Sequence, residues 1–166
     1  MEGYKVFEPD WTCRGFQYEV GKTFEEDVTP VCCDRGFHFC KELKDCLTYY
    51  NFDPNNKVAE VEAVGDIDTH SNDTKYSTNK LRVIREITWH EVIELVNSGK
   101  ACTGNRNSGN WNSGNWNSGD YNSGDCNSGD CNSGNRNSGD WNKTSNAVGC
   151  FNTEHQKLKF FGKEIS

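Results

Sequence analysis

The stretch RNSGN WNSGN WNSGD YNSGD CNSGD CNSGN RNSGD WNKTS, residues 106–145, decides how the chain is read. Its period is five, x-Asn-Ser-Gly-(Asn/Asp), with Asn at 107, 112, 117, 122, 127, 132, 137 and 142. The phase runs past the block: Asn97, Ser98 and Gly99 fit upstream, Gly149 and Asn152 downstream, so residues 96–155 divide into 12 pentads. A flexible Gly/Ser linker has no reason to hold Trp or Tyr at one phase of a fixed period. Strict phase without length variation points to an ordered solenoid. Each unit gives one short extended face and one corner, Gly or Asn taking positive φ at the turn. Four such faces make a coil of about 20 residues stacked at about 4.8 Å, so the pentads build about three coils. In that coil Asn side chains form ladders and Ser fills a narrow interior.

The variable residue is left facing outward, because a square coil is too narrow for Trp. At 20 residues per coil the columns are Arg106/Cys126, Trp111/Cys131/Phe151, Trp116/Arg136 and Tyr121/Trp141. Trp, Tyr and Arg dominate protein interfaces, so Trp111, Trp116, Tyr121, Arg136 and Trp141 are the candidate partner-binding residues. A solenoid needs covered ends. The helix at 89–97 is the expected cap of the first coil, and the 156–166 tail, with Leu158, Phe160 and Phe161, that of the last.

Residues 1–95 have different arithmetic. The whole chain of 166 residues carries a net charge of −7, yet this half alone holds 11 Lys+Arg against 19 Asp+Glu, and the repeat is nearly neutral. The pattern is α+β. Segments 4–7, 16–20 and 36–40 fit strands, and 58–64 alternates with Ala59, Val61 and Ala63 on one face and Glu60 and Glu62 on the other. A further strand fits 81–87, and 66–79 reads as an exposed polar loop. One helix fits 41–50, with Leu43, Leu47 and Tyr50 at helical spacing. A second opens at Thr88 and Glu91, a capping-box pair.

These features bound the function. No apolar run is long enough for a membrane span, and the acidic balance argues against direct nucleic-acid binding. Nine Cys without a signal-peptide pattern at the N-terminus point to reduced thiols and a cytoplasmic setting. Cys32, Cys33, His38, Cys40 and Cys46 are the densest set of metal-ligand types, but they contain no CxxC pair. No metal or other cofactor is therefore assigned. Walker, GxGxxG, HExxH and GxSxG motifs are all missing, so no catalytic residue is assigned either.

The x-Asn-Ser-Gly-x units resemble the Asn-x-Gly branch of pentapeptide-repeat proteins. The first half, with Cys13, Arg14, Gly15 and Phe16, the 36–40 and 58–64 segments and the Thr88 helix, resembles an uncharacterised domain found beside such repeats in bacteriophage-encoded proteins. The resemblance implies a right-handed quadrilateral β-helix. It also implies a non-enzymatic inhibitor that binds a host protein, such as a nucleic-acid-processing or defence enzyme, in the host cytoplasm. A homo-oligomerising structural module is an alternative. Another follows from 36–40 and Thr48, Tyr49 and Tyr50, which are similar to the middle of ADP-ribosyltransferases. That likeness implies an NAD-contacting strand at Arg14 or Gly15 and a ring contact from Tyr49 or Tyr50. The catalytic Glu it calls for near residues 77–80 is absent, since Ser77, Thr78, Asn79 and Lys80 stand there.

Overall fold

The computed structural model describes residues 1–69, 74–154, 159–160 and 163–164. The chain divides into two compact units, Met1–Leu95 and Val96–Ser166.

The first unit is mostly β, with little helix. Its strands are β1 (Glu2–Phe7), β2 (Thr12–Cys13), β3 (Phe16–Gln17), β4 (Thr23–Glu25), β5 (Phe37–Cys40), β6 (Lys57–Ala63), β7 (Ile67–Thr69), β8 (Lys75–Thr78) and β9 (Lys80–Glu86). Seven of them form one antiparallel sheet in the order β4-β9-β6-β1-β5-β8-β7. Phe7, Phe37, Phe39, Val61, Leu81 and Val83, all nearly sealed from solvent, form its core with Tyr18. Helix α2 (Trp89–Val96) starts with the expected box: the Thr88 N–H and hydroxyl reach the Glu91 carboxylate at 2.7 and 2.9 Å, and the Glu91 N–H returns to the Thr88 hydroxyl at 3.3 Å.

Two expectations fail here. The helix expected over 41–50 is only α1 (Leu43–Cys46). Its Glu42 N-cap makes no side-chain bond, and Thr48 and Tyr49 N–H groups bond three residues back, to Asp45 and Cys46, in a tight turn. The expected loop 66–79 contains β7 and β8. Strand β8 escapes a hydrophobic reading because its buried residues are polar: Lys75 is buried, Ser77 and Thr78 are fully covered, and the Ser77 hydroxyl donates to the Arg35 carbonyl.

In the second unit the pentads are ordered, but each pairs with the pentad ten residues away. The Ser118 N–H donates to Asn127 O at 2.8 Å, Gly119 N–H to Ser108 O at 3.0 Å and Tyr121 N–H to Asn110 O at 2.9 Å. Parallel bridges join Ser108 to Ser118, Ser113 to Ser123 and so on to Ser138 and Val148. The coil therefore holds two pentads, and the expected four-faced coil of 20 residues is corrected to a two-faced coil of ten. The stack is about six rungs and roughly 29 Å tall, where about three coils were expected. Backbone angles give the reason. The Gly of most pentads has φ of 98–110°, and the variable residue also takes a left-handed φ, from 56° to 61°. Two left-handed residues per pentad turn the chain through half a circle, where one was expected to turn it through a quarter.

The interior is corrected as well. Ser points out, and Asn fills the space between the two faces, with Asn107, Asn112, Asn117, Asn122, Asn127, Asn132, Asn137 and Asn142 at most 2% exposed. A buried amide must be satisfied, and the ladder does this. The Asn127 N–H donates to Asn117 Oδ1 at 3.0 Å, and Asn117 Nδ2 donates to Gly124 O at 2.8 Å, a rule that recurs in both columns. Departures follow the sequence. Cys102 stands in an Asn position, and its thiol donates to the equivalent carbonyl, Gly109 O, at 3.4 Å. Asn137 Nδ2 has no partner among the described residues, and the residue seven positions on, a Gly in most pentads, is Thr144. The expected tail cap cannot be placed: Leu158, Phe161 and the Phe160 side chain lie outside the described residues.

Candidate functional site

Each corner of the solenoid projects one variable side chain. With ten residues per coil the corners form two columns half a coil apart. One holds Ala101, Trp111, Tyr121, Cys131, Trp141 and Phe151; the other holds Arg106, Trp116, Cys126, Arg136 and Asn146. The columns expected for a 20-residue coil are corrected accordingly. Trp111, Tyr121 and Trp141 come together in one file, while Trp116 and Arg136 belong to the other. All are outward: Trp111, Trp116, Tyr121 and Trp141 keep 55–61% of their surface exposed, and Phe151, which the sequence reading left out of the candidate set, keeps 73%. Trp111 and Tyr121 rings are parallel within 3° at 6.2 Å, Trp141 and Phe151 stack at 6.3 Å, and the Arg106 guanidinium lies 4.6 Å over Trp116. One edge thus carries two stacked aromatic pairs with Cys131 between them.

The first unit holds a cavity of about 640 Å³ between β1, β5, the β2–β3 hairpin and the turn after α1. Lys5 lies at its wall. On β1 it alternates inward with Gly3 and Phe7, and it is 5% exposed. Its ammonium donates to His38 O at 2.7 Å and faces the Phe7 and Tyr18 rings at 5.6 and 5.3 Å. Burial lowers its pKa. Beside it the Cys13 thiol and Tyr50 hydroxyl bond at 2.9 Å, and burial raises the Tyr50 pKa. Arg14, Gly15, Tyr49 and Tyr50, the positions implied by the transferase resemblance, all line this cavity. At the position of the missing Glu, Ser77 is committed to the Arg35 carbonyl. The Lys5 signal was present in the sequence as a charged residue at an inward strand position, but the reading of 4–7 did not single it out.

The cysteine set separates. Cys40 and Cys46 are buried, and a hydrogen bond between them together with burial pushes the Cys46 thiol well up. Cys32 and Cys33 lie near the surface with sulfurs 4.0 Å apart, and burial raises the Cys32 thiol to about 11. His38 Nε2 accepts the Cys33 N–H at 2.8 Å, and burial lowers its pKa to about 4, so it is neutral at pH 7. Among the described residues no group of three or more His, Cys, Asp or Glu is placed to hold a metal ion. Cys126 and Cys131 fall in different columns.

A family model described as a domain of unknown function, DUF7666, matches residues 1–95, and one described as pentapeptide repeats, in 8 copies, matches residues 95–130. Pentapeptide repeats suggest a β-helix, in keeping with the parallel bridges along the rungs. No curated protein and no solved structure matches the chain. No helix among the described residues is long and apolar enough to cross a membrane.

Proposed function

The chain belongs to the DUF7666 family and carries pentapeptide repeats behind that domain, and from this premise we propose that it is a non-enzymatic binding protein whose repeat unit docks on another protein. The docking edge is the Trp111, Tyr121, Trp141 and Phe151 column, with Trp116 and Arg136 offering a second edge. One observation carries this reading: bulky side chains stand at left-handed corners. A left-handed φ costs an L-residue about 1–2 kcal/mol, and Gly or Asn adopts it with least strain. Asn146 shows that Asn fits this corner. Seven of the eleven corners instead carry Trp, Tyr, Phe or Arg, and although neighbouring rings stack along a column, every one of those aromatic side chains keeps more than half of its surface exposed, as side chains held for contact would. The finer reading follows the Asn-x-Gly resemblance: a phage-type inhibitor in the host cytoplasm, its partner a host nucleic-acid-processing or defence enzyme.

The test is a triple variant, Trp111→Asn, Tyr121→Asn and Trp141→Asn, which keeps a residue tolerant of the corner. A protein captured from bacterial lysate by the wild type, then purified and titrated, should bind the folded variant at least about 30-fold more weakly, the loss of one strong anchor. Unchanged binding by the folded variant overturns the proposal. Two alternatives have their own readouts. Concentration-dependent mass in light scattering marks an oligomerising module. Turnover of labelled NAD marks a transferase, a reading favoured by Arg14, Gly15, Tyr49 and Tyr50 meeting at one cavity and opposed by the absent Glu.

A further inference from the structure

We propose that the cavity of the first unit is a binding site for a small organic anion carried on a planar ring: an aromatic phosphate, sulfonate or carboxylate. The inference is independent of the docking edge and rests on charge placement. The first unit is strongly acidic, yet its cavity is lined by Lys5, Arg14, Arg35 and Lys75 against only Glu26 and Asp34. Asp34 and Arg35 pair with each other at 3.3 Å, which takes one charge of each sign out of that balance. With His38 neutral, the lining is a cationic patch inside an anionic domain.

Lys5 sharpens the argument. Lysine is almost never fully buried unless paired, because a desolvated ammonium needs a compensating charge. Here the carbonyl of His38, the Cys13 thiol and two ring faces are its neighbours, and no carboxylate among the described residues forms an ion pair with it. An anion in the cavity supplies the missing charge. The aromatic part of the ligand follows from the rest of the lining: Phe16 and Tyr49 stand at the rim with 37% and 51% exposure, and the Lys75 ammonium is 4.0 Å over the Tyr49 ring. Cations fix the acidic group and rings stack on the planar one. The volume, about 640 Å³, suits a ligand of that size.

Three probes test this on the full chain by calorimetry: 8-anilinonaphthalene-1-sulfonate, adenosine 5′-monophosphate and inorganic phosphate. At least one ring-bearing probe should bind with 1:1 stoichiometry, at least about tenfold more tightly than phosphate. If only the nucleotide does so, the source is nucleotide-like; if the sulfonate does, any aromatic anion of that size suffices. Lys5→Met should weaken the binding probe at least about tenfold, the effect of removing one member of a buried charge pair. If Lys5→Met does not fold, Arg14→Gln, at an exposed position, should weaken it in the same direction. The triple column variant should bind the probe like the wild type, which separates this site from the docking edge. Absence of binding by both ring-bearing probes, phosphate binding as tightly as they do, or unchanged binding by the folded Lys5 or Arg14 variant would overturn the assignment.

Discussion

Replacing Asn122 by Ala tests whether the inner amide ladder holds the solenoid together. Asn122 is 1% exposed. Its Nδ2 donates to Gly129 O at 2.8 Å, and its Oδ1 accepts both the backbone N–H and the side-chain amide of Asn132 at 3.0 Å. Truncation therefore orphans a carbonyl, a backbone N–H and one amide hydrogen in the space between two faces. Each buried orphan costs about 1–3 kcal/mol. Coupling along the ladder and water entry make the losses less than additive, so the expected destabilisation is about 3–6 kcal/mol. A unit of about 70 residues has roughly 4–10 kcal/mol in total, so the substitution removes most of it. In urea, with a slope of about 1.5 kcal/mol/M, the midpoint should fall by about 2–4 M. Far-UV circular dichroism reports the transition, and hydrogen exchange at the Asn132 amide locates it in the repeat. Ser123→Ala, one residue on, removes an outward hydroxyl and should stay within about 0.5 kcal/mol of wild type. If Asn122→Ala falls within about 1 kcal/mol of Ser123→Ala, the amides are not what stabilises the stack.

Gly124→Ala meets two obstacles, φ of +107° and a Cβ only 2.2 Å from the Gly134 carbonyl of the next rung; loss of about 3 kcal/mol or more, with lost exchange protection in neighbouring rungs, is expected. Cys126→Asn works the other way: at φ +61° on an exposed corner it should raise the urea midpoint by an amount worth about 0.5–1 kcal/mol, and a lowered midpoint would contradict the strain assigned to the corners. His38 has a folded pKa of about 4 against 6.5 unfolded, so the unfolded state takes up the proton first as pH falls. Stability should thus decline from pH 6.5 towards 4, by about 1–2 kcal/mol after discounting for the partly exposed ring, and His38→Gln should lack this part of the slope in paired urea titrations. Thiol labelling under native conditions should modify Cys33, Cys126 and Cys150, whereas Cys13, Cys40, Cys46 and Cys102 should react only on unfolding; mass spectrometry of the labelled peptides reads both sets.

What could be read in advance divides along physical lines. The five-residue period was legible because every fifth residue meets the same environment, and the strand 58–64 was legible because alternation survives when one face is buried. The number of pentads per coil was not, because period alone fixes spacing and not turning angle. That angle is set by φ at residues such as Trp111 and Arg136, whose side chains argue against the left-handed region they occupy. Strand β8 was hidden for a related reason: Ser77 and Thr78 are buried through satisfied hydroxyls, so hydropathy is silent where hydrogen bonding decides. Lys5 was hidden by its charge, which reads as surface until its inward partners Gly3 and Phe7 are set beside it.

The corrected coil also changes what the corner residues can do together. With 20 residues per coil, Trp111 and Tyr121 would stand on different faces and act singly. With ten, they are successive rungs of one edge, their rings parallel at 6.2 Å, and Trp141 and Phe151 continue the file. A partner that meets this edge meets two stacked aromatic pairs, one on either side of Cys131, over four rung spacings, roughly 19 Å. That arrangement requires the strained corner conformation, because only a left-handed residue at every fifth position reverses the chain quickly enough to put the next aromatic ring directly above the last. Of the eleven corners, seven carry Trp, Tyr, Phe or Arg. Backbone strain alone would favour Asn or Gly there, so strain and display are two sides of one geometry, and the edge column, more than the repeat as such, is where a binding partner should be sought.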